Sequence, residues 1–277
     1  MPVAIVWSIM KMTKGSEILG IVLGITLVSP SLLVEYQSIA HYSSEVIPAI
    51  LAGVSLVYLE RLFRKISTES LSMLIVPFCS LISSIALTQM VLGPIGHILG
   101  DALSQGLVFL FTTPISYITA IIFGGGYMFL VMKGMHHITT LLDLQMICSV
   151  GGTMLWPLIA LSNVAQGSSV LGMMVLQRNN PKRQAINIPA CISCMLGVTE
   201  PALYGVNTKY HFPFICGVIG SSCAALYAVS QSIMAASIGV GGLPGIFSIL
   251  PQMIPSYFIA LVIAMFVTVI LTIIVGS

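Results

Sequence analysis

The chain has 277 residues, of which 57% are hydrophobic and only 6% charged, with a formal net charge of +2. Soluble domains carry about 25% charged residues, so this composition excludes an ordinary water-soluble domain and points to a polytopic α-helical membrane protein. So small and scattered a charge gives no footing for nucleic acid. The apolar runs are long and continuous, unlike the short alternating segments of a transmembrane barrel.

Residues 2–10 form an apolar stub closed by Lys11, Lys14 and Gly15, with neither a basic leader nor a small-residue cleavage site. It reads as the interior of a membrane helix, and the chain is expected to start partway through a longer protein. Ile18 to Val34 is the next run, with Gly20 and Gly24 at the spacing that lets helices approach closely; Pro30 bends or ends it. Residues 35–45 are polar and predict a loop. Val46 to Leu59 is apolar, and Glu60, Arg61, Arg64 and Lys65 then predict a cytoplasmic loop. Leu71 to Leu92 is long enough to span, with Pro77 as a candidate kink. Residues 93–112 read as an interfacial helix and not a full span.

Pro114 to Met132 is a further span containing Gly124, Gly125 and Gly126. Residues 144–176 read as an apolar region interrupted by Gly151-Gly152, Pro157 and the polar stretch Ser162 to Ser168, and closed by Arg178, Lys182 and Arg183. Phe214 to Val229 and Tyr257 to Val275 are spans, with a glycine-rich turn at 239–245 between them. The Gly/Pro-interrupted segments near 134–168 and 191–207 resist assignment as inside or outside, as the binding segments of transporters do.

The richest stretch is Gly197-Val198-Thr199-Glu200-Pro201-Ala202-Leu203-Tyr204-Gly205-Val206-Asn207. An ionised carboxylate in hydrocarbon costs about 2.5–3.5 kcal/mol even on the lenient scale, so Glu200 is expected to face protein or a polar cavity. Pro201 disfavours the helical region for Glu200, and the two glycines permit turns; a broken or re-entrant segment follows. The alternative is a short solvated loop, which Ala202, Leu203, Tyr204 and Val206 fit poorly.

His136-His137 is the second candidate site. Imidazole donates and accepts hydrogen bonds and its charge adjusts near neutral pH, so the pair suits a reacting hydroxyl; interfacial helix capping is the other reading. Adjacent histidines point apart on a helix, which argues against a metal. Asn163, Gln166 and Ser168, with Thr199, Glu200 and Asn207, fit an uncharged polyhydroxylated ligand, although interhelical bonding explains any one of them alone. Trp156 and Tyr204 suit stacking on a sugar ring or packing. The six cysteines read as packing residues, Cys191-Ile-Ser-Cys194 included. Residues 239–245 lack the Lys-Ser/Thr of a phosphate loop. No cofactor is expected.

Gly197-Val198-Thr199-Glu200-Pro201-Ala202-Leu203-Tyr204-Gly205 resembles the G-I/V-T-E-P-x-x-Y-G motif of the glucose-superfamily enzyme IIC of the bacterial sugar phosphotransferase system. Gly134-Met135-His136-His137 is similar to that family's G-x-H-H motif. Asp143 to Ile147, Trp156 to Asn163, Ala165 to Ser168 and Gly241 to Gly245 look most like the trehalose-specific branch. The resemblance implies an all-α polytopic membrane protein, one enzyme IIC domain over 1–277. Its scaffold half would lie at about 1–112 and its substrate-carrying half, with two re-entrant hairpins, at about 113–277. It implies a homodimer in the bacterial cytoplasmic membrane, embedded in lipid. Uptake would be coupled to phosphorylation of the sugar 6-hydroxyl, the phosphoryl group coming from a cysteine of an enzyme IIB domain served by phosphocarrier proteins. His136 would meet the reacting hydroxyl as the catalytic residue, chosen over His137. Glu200, Thr199, His137, Asn163, Gln166 and Asn207 would bind trehalose, with sucrose, maltose or another glucoside as alternatives. No cysteine here is followed by the Thr-Arg of the C-x-T-R phosphorylation motif, so the donor domain is expected elsewhere, and an inactive remnant is the competing reading.

Overall fold

The computed structural model describes residues 2–28 and 46–277. The expected loop at 35–45 and the end of the run through Val34 lie outside the described residues. Two compact units divide the chain, Met1–Gln105 and Gly106–Ser277. Among the described residues, five helical stretches are long and apolar enough to cross a membrane. Among the described residues the only β-type pairing consists of isolated bridges joining Thr153, Ala235 and Ile249.

In the first unit α1 (Pro2–Met12) packs on α2 (Glu17–Val28) and α3 (Val46–Ile66). A Cβ at Gly24 would stand 2.4 Å from the Val3 Cα, and one at Gly20 2.8 Å from Met10. The small-residue spacing is thus what lets α2 lie backbone to backbone on α1. Val6, Met10, Leu23, Ala52 and Leu56 fill the seam.

The basic cluster after Leu59 is not in a loop. Helix α3 runs unbroken to Ile66, and Glu60 is buried within it. Its carboxylate accepts from the Arg64 guanidinium at 2.7 Å and the Ser16 amide at 3.1 Å. A carboxylate paired in this way continues a helix through a stretch that, in one dimension, looks like its end. Helix α4 (Glu69–Leu87) continues through a π turn (Thr88–Leu92) into α5 (Gly93–Thr112). The apolar stretch Leu71–Thr112 has 42 residues, about 63 Å of helix against about 30 Å of hydrocarbon. Only part of it crosses, which leaves room for an interfacial 93–112.

In the second unit α6 (Ser116–Met132) and α7 (His136–Val150) lead into α8 (Leu155–Leu176). Helix α8 is buried from Leu155 through Val170, with α6, α9 (Pro181–Met195), α12 (Phe212–Ser230) and α13 (Ile254–Gly276) around it. The expected interruption at 162–168 does not exist. A helix enclosed on every side needs no polar face, and two of its hydroxyls turn back on the chain: Ser168 Oγ donates to the Val164 carbonyl at 2.8 Å and Ser169 Oγ to the Gln166 carbonyl at 2.7 Å. The true break lies earlier, at Gly151, whose φ of 81° ends α7. Helices α6 and α12 meet where Ser221 Oγ donates to the Gly124 carbonyl at 2.6 Å.

Candidate functional site

The histidine pair begins where α6 ends. Gly134, at φ 69°, turns the chain after Met132 so that α7 opens on His136. His136 is half-buried and His137 exposed, their ring centroids 4.1 Å apart. His136 Nδ1 is buried without a protein partner, and the Thr139 hydroxyl donates to the His136 carbonyl at 2.6 Å. Burial, and then the neighbouring His137, lower the His136 pKa below its ordinary value, while the Glu200 carboxylate pulls it the other way.

The carboxylate motif follows the end of α9. Gly197, at φ 100°, reverses the chain, and the Val198 amide closes back on the Ser193 carbonyl at 3.0 Å. Thr199 is buried. Glu200 does not stand outside helical geometry as its proline neighbour suggests; it is the first residue of α10 (Glu200–Ala202). The first turn of a helix has no use for a proline N–H, so Pro201 is tolerated there. The helical path continues through a π turn (Leu203–Asn207) into α11 (Thr208–Tyr210).

Ala202, Leu203 and Val206 take the buried side, which leaves Glu200 exposed and not enclosed in a cavity. An apolar cavity of roughly 440 Å³ in this unit is lined by residues such as Leu107, Phe111, Phe123 and Leu130, and by neither Glu200 nor His136. Tyr204, 54% exposed, donates its hydroxyl to the Met132 carbonyl at 3.1 Å. The second motif is thereby pinned to the end of α6, beside the first.

The remaining candidates lie deeper. Asn207 Nδ2 donates to Gln166 Oε1 at 2.6 Å and to the Gln166 carbonyl at 3.1 Å; Ser169 Oγ donates to Asn207 Oδ1 at 2.9 Å. Gln166 Nε2 points to the Phe214 carbonyl at 3.4 Å. Gln166 and Asn207 thus hold each other with no exposed surface. Asn163 is buried with its Oδ1 unpartnered, and its Nδ2 sits under Gly241, where a Cβ would approach to 2.4 Å. Gly241 in turn lies against Gly197, so the glycine-rich turn seats on the bend that presents Thr199 and Glu200.

Cys191 and Cys194 are free and buried, donating to the Gly167 and Asn163 carbonyls. Trp156 is buried inside the unit, away from a stacking role. Of the residues singled out in the sequence, the fold ties the segment of His136 and His137 to that of Glu200 through Tyr204 and puts Gln166 and Asn207 in a separate buried lock. What the sequence did not disclose is the tether from Tyr204 and the pairing of Asp143 with Thr153.

The family described as phosphotransferase system, EIIC, matches residues 1–221. The chain is 45% identical over 98% of its length to a protein of Escherichia coli (strain K12) named PTS system trehalose-specific EIIBC component, covering 61% of that relative. A protein of the same name from Bacillus subtilis (strain 168) is 37% identical over 96% of this chain and 61% of its own. A PTS system sucrose-specific EIIBC component of Pasteurella multocida (strain Pm70) is 33% identical over 100% of this chain and 63% of its own. The chain therefore spans about three fifths of the length of the curated relatives it matches. No solved structure matches. An all-helical membrane fold, two motifs drawn together in space and a family match over most of the chain agree: this protein belongs to the EIIC family of the phosphotransferase system.

Proposed function

We propose that this chain is the membrane part of a trehalose permease, taking up the disaccharide while its 6-hydroxyl becomes phosphorylated. The observation that carries this reading is the 45% identity, over nearly the whole chain, to a relative named for trehalose. The geometry supports it. Exposed Glu200 offers a carboxylate that accepts two sugar hydroxyls at once. Half-buried His136, in the segment that the Tyr204–Met132 bond ties to the Glu200 helix, offers an imidazole whose Nε2 would meet the ligand, its Nδ1 being buried.

In the transfer step the P–S bond of a phosphocysteine on an enzyme IIB domain breaks. An O–P bond forms at the sugar 6-hydroxyl, and the hydroxyl proton passes to neutral His136. His137 and Thr199 flank the sugar. Asn163, Gln166 and Asn207 support the bend and helix that present Glu200, Asn163 through its place under Gly241. The first unit serves as scaffold in a lipid-embedded homodimer, and the second as the substrate-carrying half with its two re-entrant hairpins.

Membrane vesicles holding this chain, supplied with enzyme IIB, the general phosphotransferase proteins and phosphoenolpyruvate, are expected to convert trehalose to trehalose 6-phosphate. The sucrose-named relative at 33% identity supports a second reading, a permease for another glucoside. Competition by sucrose and maltose in the same assay separates the two. No phosphorylation of any of these sugars would support an inactive remnant.

A further inference from the structure

Asp143 has no exposed surface and lies in α7 seven residues beyond His136, on the same side of the helix. A carboxylate in such a place is costly unless it is held. The Thr153 hydroxyl donates to its Oδ1, and Thr153 Oγ1 itself accepts from the Leu155 amide at 3.1 Å. The other oxygen of Asp143, Oδ2, is buried with no hydrogen-bond partner among the described residues. Leu155 and Trp156 are the first two residues of α8, whose N-cap residue Met154 makes no side-chain cap bond. Asp143 and Thr153 together supply what that helix start lacks.

Thr153 is itself fixed. Its amide donates to the Ala235 carbonyl at 2.9 Å, and the Ala235 amide donates back at 2.8 Å. The middle of α7 is thereby fastened to the start of the most enclosed helix of the unit, across the Gly151 turn.

We propose that Asp143 is the positioning residue for His136: through Thr153 it sets the rotation and depth of α7, and hence where the imidazole stands. This rests on the role assigned to His136 above, and Asp143 itself touches no substrate. The relation is mechanical, because a helix pinned at one turn carries the side chains on the same face two turns away.

The test uses Asp143→Ala, Asp143→Asn and Thr153→Val in native membranes of the full chain. Modification of His136 by diethyl pyrocarbonate is quantified by mass spectrometry against exposed His137 as the internal reference. Loss of the latch in Asp143→Ala and in Thr153→Val is expected to raise His136 modification several-fold relative to His137. Asp143→Asn keeps an acceptor oxygen and is expected to stay near wild type. In the phosphotransfer assay the two latch-breaking variants are expected to lose turnover by roughly tenfold or more, since small misplacements cost that much, while KM for trehalose changes far less. The double variant is expected to be no worse than either single one.

Unchanged His136 modification in both latch-breaking variants would overturn the proposal, as would a rise in KM that accounts for the whole loss. Should Asp143→Ala fail to accumulate, Thr153→Val reads the same latch from its other side. The modification arm needs no sugar, so an inactive wild type would count against the trehalose reading and leave this inference to the labelling result.

Discussion

The Tyr204 hydroxyl donates to the Met132 carbonyl at 3.1 Å, a bond between residues 72 positions apart. Met132 ends α6 four residues before His136, and Tyr204 stands four residues after Glu200. The bond thus ties together the two segments that carry the imidazole and the carboxylate. An intramolecular hydrogen bond contributes about 0.5–1.5 kcal/mol net, enough to bias a separation but not enough to hold the fold. Tyr204→Phe is expected to slow sugar phosphorylation a few-fold in vesicles while protein abundance stays unchanged. Equal initial rates in the two proteins would show that the tether is dispensable.

The buried lock between Gln166 and Asn207 predicts a stability effect with a distinctive pattern. Asn207→Ala leaves Gln166 groups without partners and is expected to destabilise by about 1–3 kcal/mol. Replacing both, as Gln166→Met with Asn207→Leu, is expected to cost less than the sum of the two singles. Thermal unfolding in detergent measures it, and additive losses would mean the two side chains act independently.

Acid sensitivity should follow from the state of His136. Burial, then His137, depress its pKa against the opposing pull of Glu200. The neutral base form therefore persists to more acidic pH than for a free histidine. Phosphotransfer is expected to fall on acidification, with its midpoint below the ordinary value of 6.5. His136→Gln is expected to lose that acidic limb along with most of the rate. A wild-type profile that is flat through this range would remove His136 from the proton transfer.

Gly197 offers a backbone test. Its φ of 100° lies where side chains are strained, and a Cβ would meet the Gly241 carbonyl oxygen at 2.7 Å. Gly197→Ala is expected to cost about 1–3 kcal/mol locally and to weaken trehalose binding, because the bend presents Thr199 and Glu200. Unaltered binding isotherms would separate the bend from the ligand site.

Much of this arrangement was readable in one dimension. The spans at α12 and α13 follow from continuous apolar runs, whereas α6 is an apolar helix shorter than a full span; the packing of α2 on α1 follows from Gly20 and Gly24. What misled was polarity without its partners. Glu60 looked like a loop residue because Arg64 and Ser16, which satisfy it, are visible only in three dimensions. Ser162 to Ser168 looked like a break, yet Ser168 bonds back to the Val164 carbonyl and Gln166 pairs with Asn207, partners that a one-dimensional reading does not show. Gln166 and Asn207 have a ligand's chemistry but are occupied with each other. Pro201 looked like a helix breaker only because its place in the first turn of α10 could not be seen.

The central claim is that Glu200 holds the sugar. Equilibrium binding of trehalose to the purified protein, wild type against Glu200→Ala, tests it without any phosphoryl donor. Hydrogen bonds to a charged acceptor are worth about 1.5–3 kcal/mol, so the variant is expected to bind roughly tenfold or more weakly with its melting temperature little changed. Identical affinity in the two proteins would contradict the account.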